Sequence, residues 1–157
     1  MQLPTKIDSF SGTWGFLSNF APCDVWLDGV KYTSVEIAYQ AAKTLILKQR
    51  EKFLLNGVTP AMAKKMGRGL KLRPDWEEVK VGIMRDLLMQ KFNPTILRRK
   101  LIATFQAELI EGNFWGDTFW GVCRGVGENW LGKLLMEVRK HYGSGGTYES
   151  YRAACGS

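Results

Sequence analysis

The segment Thr33-Ser34-Val35-Glu36-Ile37-Ala38-Tyr39-Gln40-Ala41-Ala42-Lys43 constrains this chain more than any other. Thr33 and Glu36 stand at the spacing of a capping box, in which a hydroxyl and a carboxylate satisfy two amides left over at a helix start. A helix opening here puts Glu36, Gln40 and Lys43 at i, i+4 and i+7, on one face. Val35, Ile37, Ala38, Ala41 and Ala42 lie beside them. The Cα rise from Glu36 to Lys43 is about 10 Å, so the three side chains can converge on one ligand. A carboxylate and an amine on one stripe supply a proton carrier and a nucleophile. These are two of the parts needed to break a carbon–nitrogen bond at a sugar. Lysine attacks carbon only as the neutral amine, so Lys43 requires burial or a neighbouring cation to lower its pKa. Glu36 acts the other way through its charge, and serves best as a proton shuttle at some distance or in its neutral form.

The pattern ahead of this helix is turns and short extended pieces, with Asp28-Gly29 between Val25-Trp26-Leu27 and Val30-Lys31-Tyr32 predicting a hairpin. The first helix is expected over about 34–55, ended by Asn56-Gly57. Thr59-Pro60 starts a second, short helix as N-cap and N1, which Gly67 stops. A basic loop follows, Arg68 to Arg73. A third helix is expected from about Asp75 to Phe92, and a fourth from Asn93-Pro94 to about Thr104. Residues 106–111 read as a strand or a turn of helix, and Asn113 to Glu128 as a Gly- and Trp-rich loop. Asn129 is expected to cap a last helix through about Lys140, ended by Gly143. The segment 143–157 reads as a flexible Gly/Ser-rich tail, leaving 1–142 as one domain.

A length of 157 residues suits a single domain with a real core. No run approaches the ~18 apolar residues of a membrane span, and the N-terminus lacks the apolar stretch of a secretory signal. Three scattered cysteines (Cys23, Cys123, Cys155) fit a reducing, cytoplasmic setting rather than a disulfide framework. With His141 as the only histidine, a His-rich metal site is excluded and no metal or cofactor is expected. His141 itself reads as a helix-terminal partner. The net charge of +7 favours anionic partners, from phosphorylated metabolites to nucleic acid. Six tryptophans exceed what core filling alone requires, and their rings can stack on bases.

Four further clusters carry two readings each. In Trp115-Gly116-Asp117-Thr118-Phe119-Trp120, Asp117 is either a turn former bonded to its own backbone or a general base or sugar-hydroxyl ligand. Trp115 and Trp120 either sandwich a heterocycle or seal the core. Glycines ahead of Asn129 either allow a tight turn or open a helix N-terminus to an anion. Arg68 binds phosphate or is a solvated loop residue. Ser18 and Asn19, set between Phe16 and Phe20, present polar groups to a ligand or satisfy turn amides.

Taken together these pieces resemble the NADAR family, also called the YbiA-like family. The stretches that match are Phe16-Leu17-Ser18-Asn19-Phe20, Ser34-x-Glu36-x-x-Tyr39-Gln40-Ala41-x-Lys43, Ala63-Lys64-x-Met66-Gly67-Arg68, Trp76, Met84-Arg85, Lys91-Phe92, Leu109-Ile110-Glu111, Trp115-Gly116-Asp117, and Gly127-x-Asn129-x-Leu131-Gly132 with the helix that follows. They run in order from about residue 16 to 139. The resemblance implies a mainly α, single compact multihelical YbiA-like domain with a small β element near the N-terminus. It implies hydrolysis of N-glycosidic bonds, with catalysis on Glu36 and Lys43 and with Asp117 in the pocket. It also implies substrate contacts from Ser18, Asn19, Phe20, Tyr39, Gln40, Arg68, Trp115, Gly116, Trp120 and Asn129. The chain departs from the family pattern at Ile37, where a histidine is usual, and in the bulkier Thr118-Phe119-Trp120. These departures bear on ligand preference.

Two substrate classes are known in the family. One is early riboflavin intermediates, in which a pyrimidine amine carries ribose 5-phosphate. The other is ADP-ribose on the amino group of guanine in nucleic acid. The positive charge and the aromatic loop lean toward the second. In both, C1′ bears an exocyclic amine. Such a sugar can open to an imine that Lys43 captures, or water can attack directly with Lys43 as an electrostatic partner. A non-catalytic reader of ADP-ribose or nucleic acid is the rival from another class.

Overall fold

The computed structural model describes residues 2–156. In chain order the elements are β1 (Lys6–Ile7), a 3₁₀ segment (Gly12–Leu17), β2 (Pro22–Leu27), β3 (Val30–Ser34), α1 (Val35–Ala41), α2 (Leu47–Glu51), a 3₁₀ segment (Lys52–Leu54), α3 (Pro60–Arg68), α4 (Trp76–Lys91), α5 (Thr95–Ile102), β4 (Glu108–Leu109), β5 (Gly112–Asn113), β6 (Val122–Cys123), α6 (Trp130–Gly143) and α7 (Tyr148–Ala154). The chain is mainly helical, as expected. Its β content extends beyond the front hairpin to two short parallel pairs, β1–β4 and β5–β6. No helix among the described residues is long and apolar enough to cross a membrane. The three cysteines are free thiols. The chain divides into two units, Asn19–Lys91 and the flanking Met1–Ser18 with Phe92–Ser157.

In Asn19–Lys91 the hairpin β2–β3 turns at Asp28-Gly29, whose φ values of 50° and 79° are the left-handed pair that matches strand twist. Alternation along β3 buries Tyr32 and Ser34 and leaves Lys31 and Thr33 outside. That alternation decides the helix start. Thr33 points away, so the expected Thr33–Glu36 capping box does not form. Ser34 is the N-cap instead, its Oγ accepting from the Ile37 amide at 3.1 Å. The Glu36 amide donates to the Asn19 carbonyl at 3.0 Å. Every residue of α1 is buried, against α3, α4 and the hairpin.

The first helix is far shorter than expected. In a continuous helix the Thr44 carbonyl would accept from the amide of residue 48. Here it accepts from buried Arg50 Nε at 2.7 Å. The Thr44 hydroxyl accepts from the Ile46 amide at 3.1 Å and donates to Gln49 Oε1 at 2.7 Å, a side-chain competition with helix bonding. Arg50 Nη1 also meets Asp28 Oδ2 at 2.6 Å, so the hairpin turn and the helix break are held by one guanidinium. Arg50→Ala is expected to destabilise the fold by about 1.5–3 kcal/mol, measured as a lower midpoint in urea with an unchanged m-value. In α3, Thr59 and Pro60 act as expected, with Thr59 Oγ1 accepting from Met62 N at 3.1 Å. Gly67 does not stop this helix. It lies inside it, and Gly69 is the C-cap.

In the flanking unit α6 places Leu131, Leu134, Leu135, Val138 and Tyr142 on one buried stripe. This helix runs past the expected Lys140 to Gly143. The segment after Gly143 differs from the expected flexible tail. Thr147 and Ser150 form a capping box that opens α7, and His141 Nε2 bonds the Thr147 carbonyl at 2.8 Å.

Candidate active site

The anticipated site residues fall in both units. Asn19, Phe20, Glu36, Tyr39, Gln40, Lys43 and Arg68 belong to Asn19–Lys91, and Ser18, Trp115, Gly116, Asp117, Trp120 and Asn129 to the other.

Glu36 is buried at 7% exposure, near the start of α1. One turn on, Gln40 Nε2 donates to Glu36 Oε1 at 2.8 Å. Lys43 sits just past the helix, in the turn after Ala42, so the i, i+4, i+7 stripe survives only as far as Gln40. The Lys43 amide donates to the Gln40 carbonyl at 3.2 Å, and its own carbonyl accepts from the Arg73 amide at 2.8 Å. Both bonds hold the turn. Its Nζ lies 5.8 Å from the centroid of the Tyr39 ring, and Tyr39 packs on Trp76 at 5.1 Å between centroids.

Burial pushes the Lys43 amine below the usual lysine range. The Glu36 carboxylate opposes that shift, while the charges of Arg68, Lys64 and Lys80 reinforce it. A partly buried amine is thus set between one carboxylate and three cations. Lys64 and Arg68 are four apart on α3 and Lys80 lies on α4. Sequence reading passed over Lys64 and Lys80, because a lysine on a helix face looks solvated until the packing of its helix is known. The i, i+4 pairing of Lys64 with Arg68 was the available signal. Asn19, at the entry to α1, donates from Nδ2 to Met84 Sδ at 3.5 Å, and its Oδ1 is buried with no hydrogen-bond partner among the described residues. Phe20 is exposed.

In the other unit Asp117 is a turn former. Its Oδ1 accepts from the amides of Phe119 (3.2 Å) and Trp120 (2.9 Å). Asn113 braces the same loop, its Oδ1 accepting from the Asp117 amide at 3.0 Å and its Nδ2 donating to the Asp117 carbonyl at 2.8 Å. Asp117→Asn keeps a carbonyl oxygen for both amides, whereas Asp117→Ala removes it. Amide hydrogen exchange at Phe119 and Trp120 is expected to stay slow in the first and to accelerate in the second.

Trp120 meets Phe119 edge-on, and Phe119 stacks toward Trp130, so Trp120 belongs to an aromatic row. Trp115 is 53% exposed, edge-on to the still more exposed Phe114, next to Gly116 at φ 89°. Ser18 ends the first 3₁₀ segment. Asn129 occupies the N-cap position of α6 in a left-handed conformation but makes no cap bond. Its Oδ1 accepts from Glu111 N at 3.0 Å and its Nδ2 donates to Leu109 O at 2.9 Å. The amides of Trp130 and Leu131 are taken by the carbonyls of Phe119 and Trp120. The start of α6 is therefore closed by the preceding loop, contrary to the reading of that terminus as an anion seat.

The NADAR domain model matches residues 8–142. The N-glycosidase YbiA of Escherichia coli is 40% identical over 136 residues, 84% of each chain. A riboflavin biosynthesis protein of Vibrio vulnificus is 38% identical over 130 residues, 80% of this chain and 35% of that protein. The NMR structure of the E. coli protein YbiA superposes with a TM-score of 0.77 at 37% identity, covering 91% of this chain and 88% of that one. With a family model spanning most of its length and a relative this similar, the chain belongs to the NADAR domain family.

Proposed function

We propose that this chain is an N-glycosidase acting on a phosphorylated ribose whose C1′ carries an exocyclic amine. The observation that carries the reading is the Lys43 amine, held below its usual pKa between the buried Glu36 carboxylate and three further cations. The names of its relatives support the reaction class. Lys64, Arg68 and Lys80 supply charge for a substrate phosphate. The ring-opened glycosylamine presents an imine at C1′. Neutral Lys43 adds to that carbon, and as the bond from C1′ to the base amine breaks, Glu36 relays the two lysine N–H protons to the departing nitrogen. A Lys43 Schiff base results, with the base amine released. Ionised Glu36 then takes a proton from water, which attacks C1′ and frees the sugar aldehyde and the lysine.

Of the family's two substrate classes, the aminopyrimidine ribosylamine 5-phosphate is the first reading, because one relative, of which the chain covers 35%, is named a riboflavin biosynthesis protein. Guanine-linked ADP-ribose is the second reading, favoured by the net charge of +7, which suits a nucleic-acid substrate. Side-by-side turnover of the pyrimidine compound and of guanine-ADP-ribosylated DNA tests both. Release of ribose 5-phosphate or of ADP-ribose identifies the substrate. Tight binding of either without release makes the protein a reader and overturns the enzymatic reading.

A further inference from the structure

We propose that Gly67 is a positioning residue: its missing side chain holds the Gln40 amide in the orientation that hydrogen-bonds Glu36. The inference rests on the N-glycosidase reading only for its catalytic consequence. The oxygens of an ionised carboxylate only accept, so while Glu36 is ionised Gln40 turns Nε2 toward it, as it does at 2.8 Å. Its Oε1 then faces the other way, and there it meets Gly67. A Cβ built on Gly67 would overlap Gln40 Oε1 and crowd Cδ, with no atom of another residue nearer. Oε1 is buried and has no hydrogen-bond partner among the described residues. The space it occupies is the one a Cβ at position 67 would fill.

Two features make this more than ordinary packing. Glycine is among the poorest residues inside a helix, and Gly67 is buried in α3, ahead of its C-cap. The three atoms nearest to that Cβ position also all belong to one flexible side chain, which hydrogen-bonds the proposed acid. The helix that carries Lys64 and Arg68 thereby also fixes how the carboxylate is served. Adding a methyl at 67 forces the Gln40 amide to rotate, and Glu36 loses a donor to its ionised form.

The test is a cycle of Gly67→Ala, Gln40→Ala and the double variant. It is read by turnover of an aminopyrimidine ribosylamine 5-phosphate, by the ¹⁵N signal of the Gln40 side-chain amide, and by the ¹³Cδ titration of Glu36. Gly67→Ala is expected to lower kcat by about 10- to 100-fold, to move the Gln40 amide signal, and to shift the Glu36 titration to higher pH. In the Gln40→Ala background the same methyl is expected to change neither kcat nor the Glu36 titration further. Multiplying losses in the double variant, or a Gly67→Ala protein with the Gln40 amide and Glu36 titration unmoved, overturns the proposal. If Gly67→Ala fails to fold, a folded double variant supports it, and an unfolded double beside a folded Gln40→Ala overturns it. Absence of turnover by the unaltered protein sinks the N-glycosidase reading instead, and the two NMR readouts then decide the role of Gly67 alone.

Discussion

Lys43→Met is expected to lower kcat on the order of 10³–10⁶-fold, the range spanned by loss of a proton-transfer group and loss of a covalent nucleophile. Borohydride added during turnover is expected to fix the sugar to Lys43 in the unaltered protein and to fix none in the variant. Failure to trap, combined with an active Lys43→Met, would remove the imine route and leave water attacking directly. The pH dependence has a definite sign. Attack needs the neutral amine, so the limb of the imine-forming step that Lys43 governs rises with pH. It levels off at a pKa below the ordinary 10.5, because burial holds the Lys43 amine down. The same depression bears on stability. The unfolded chain holds the Lys43 proton more tightly, so between the folded pKa and 10.5 folding stability from this group increases with pH. Below that window the cost of burying the cation is fully present. Lys43→Met removes the cost, and its thermal midpoint is expected to exceed that of the unaltered protein at pH 7, with the gap closing toward pH 10.5. Activity lost with stability gained is the signature of a residue retained for chemistry.

Glu36→Gln is expected to reduce kcat by about 10²–10⁴-fold while leaving the fold in place. The amide oxygen that replaces the carboxylate can still accept from Gln40 Nε2, so the α1 hydrogen bond survives and only proton transfer is lost. A second consequence separates this result from simple damage. Glu36 is the group that raises the Lys43 pKa against burial. With its charge gone, the Lys43 amine titrates at still lower pH. Single-turnover trapping measured against pH is therefore expected to show its rise displaced downward in Glu36→Gln. An undisplaced rise would mean that the two groups are not electrostatically coupled.

Local signals were legible in the sequence where a few adjacent residues settle the geometry. Asp28-Gly29 supplies two left-handed residues for the hairpin turn, and Thr59-Pro60 supplies a cap and a preset φ. That Glu36 and Gln40 share a face follows from one turn of helix and was legible too. What was not legible depends on partners distant in sequence. The helix break after Ala41 requires Arg50 to claim the Thr44 carbonyl, and Arg50 is in turn held by Asp28. The choice of Ser34 over Thr33 as cap depends on which face of β3 is covered. Gly67 looked like a helix terminator because its contact with Gln40 exists only once α3 packs on α1. Asp117 could be seen as a candidate turn former between glycine and threonine, but choosing that role required the positions of the Phe119 and Trp120 amides.

The ordered end of the chain has a practical consequence for anyone engineering the protein. Its glycine- and serine-rich composition invites deletion after residue 143. Yet His141 Nε2 is bonded to the Thr147 carbonyl, and its ring meets that of Tyr151 on α7. A shortened version would strip the imidazole of both neighbours.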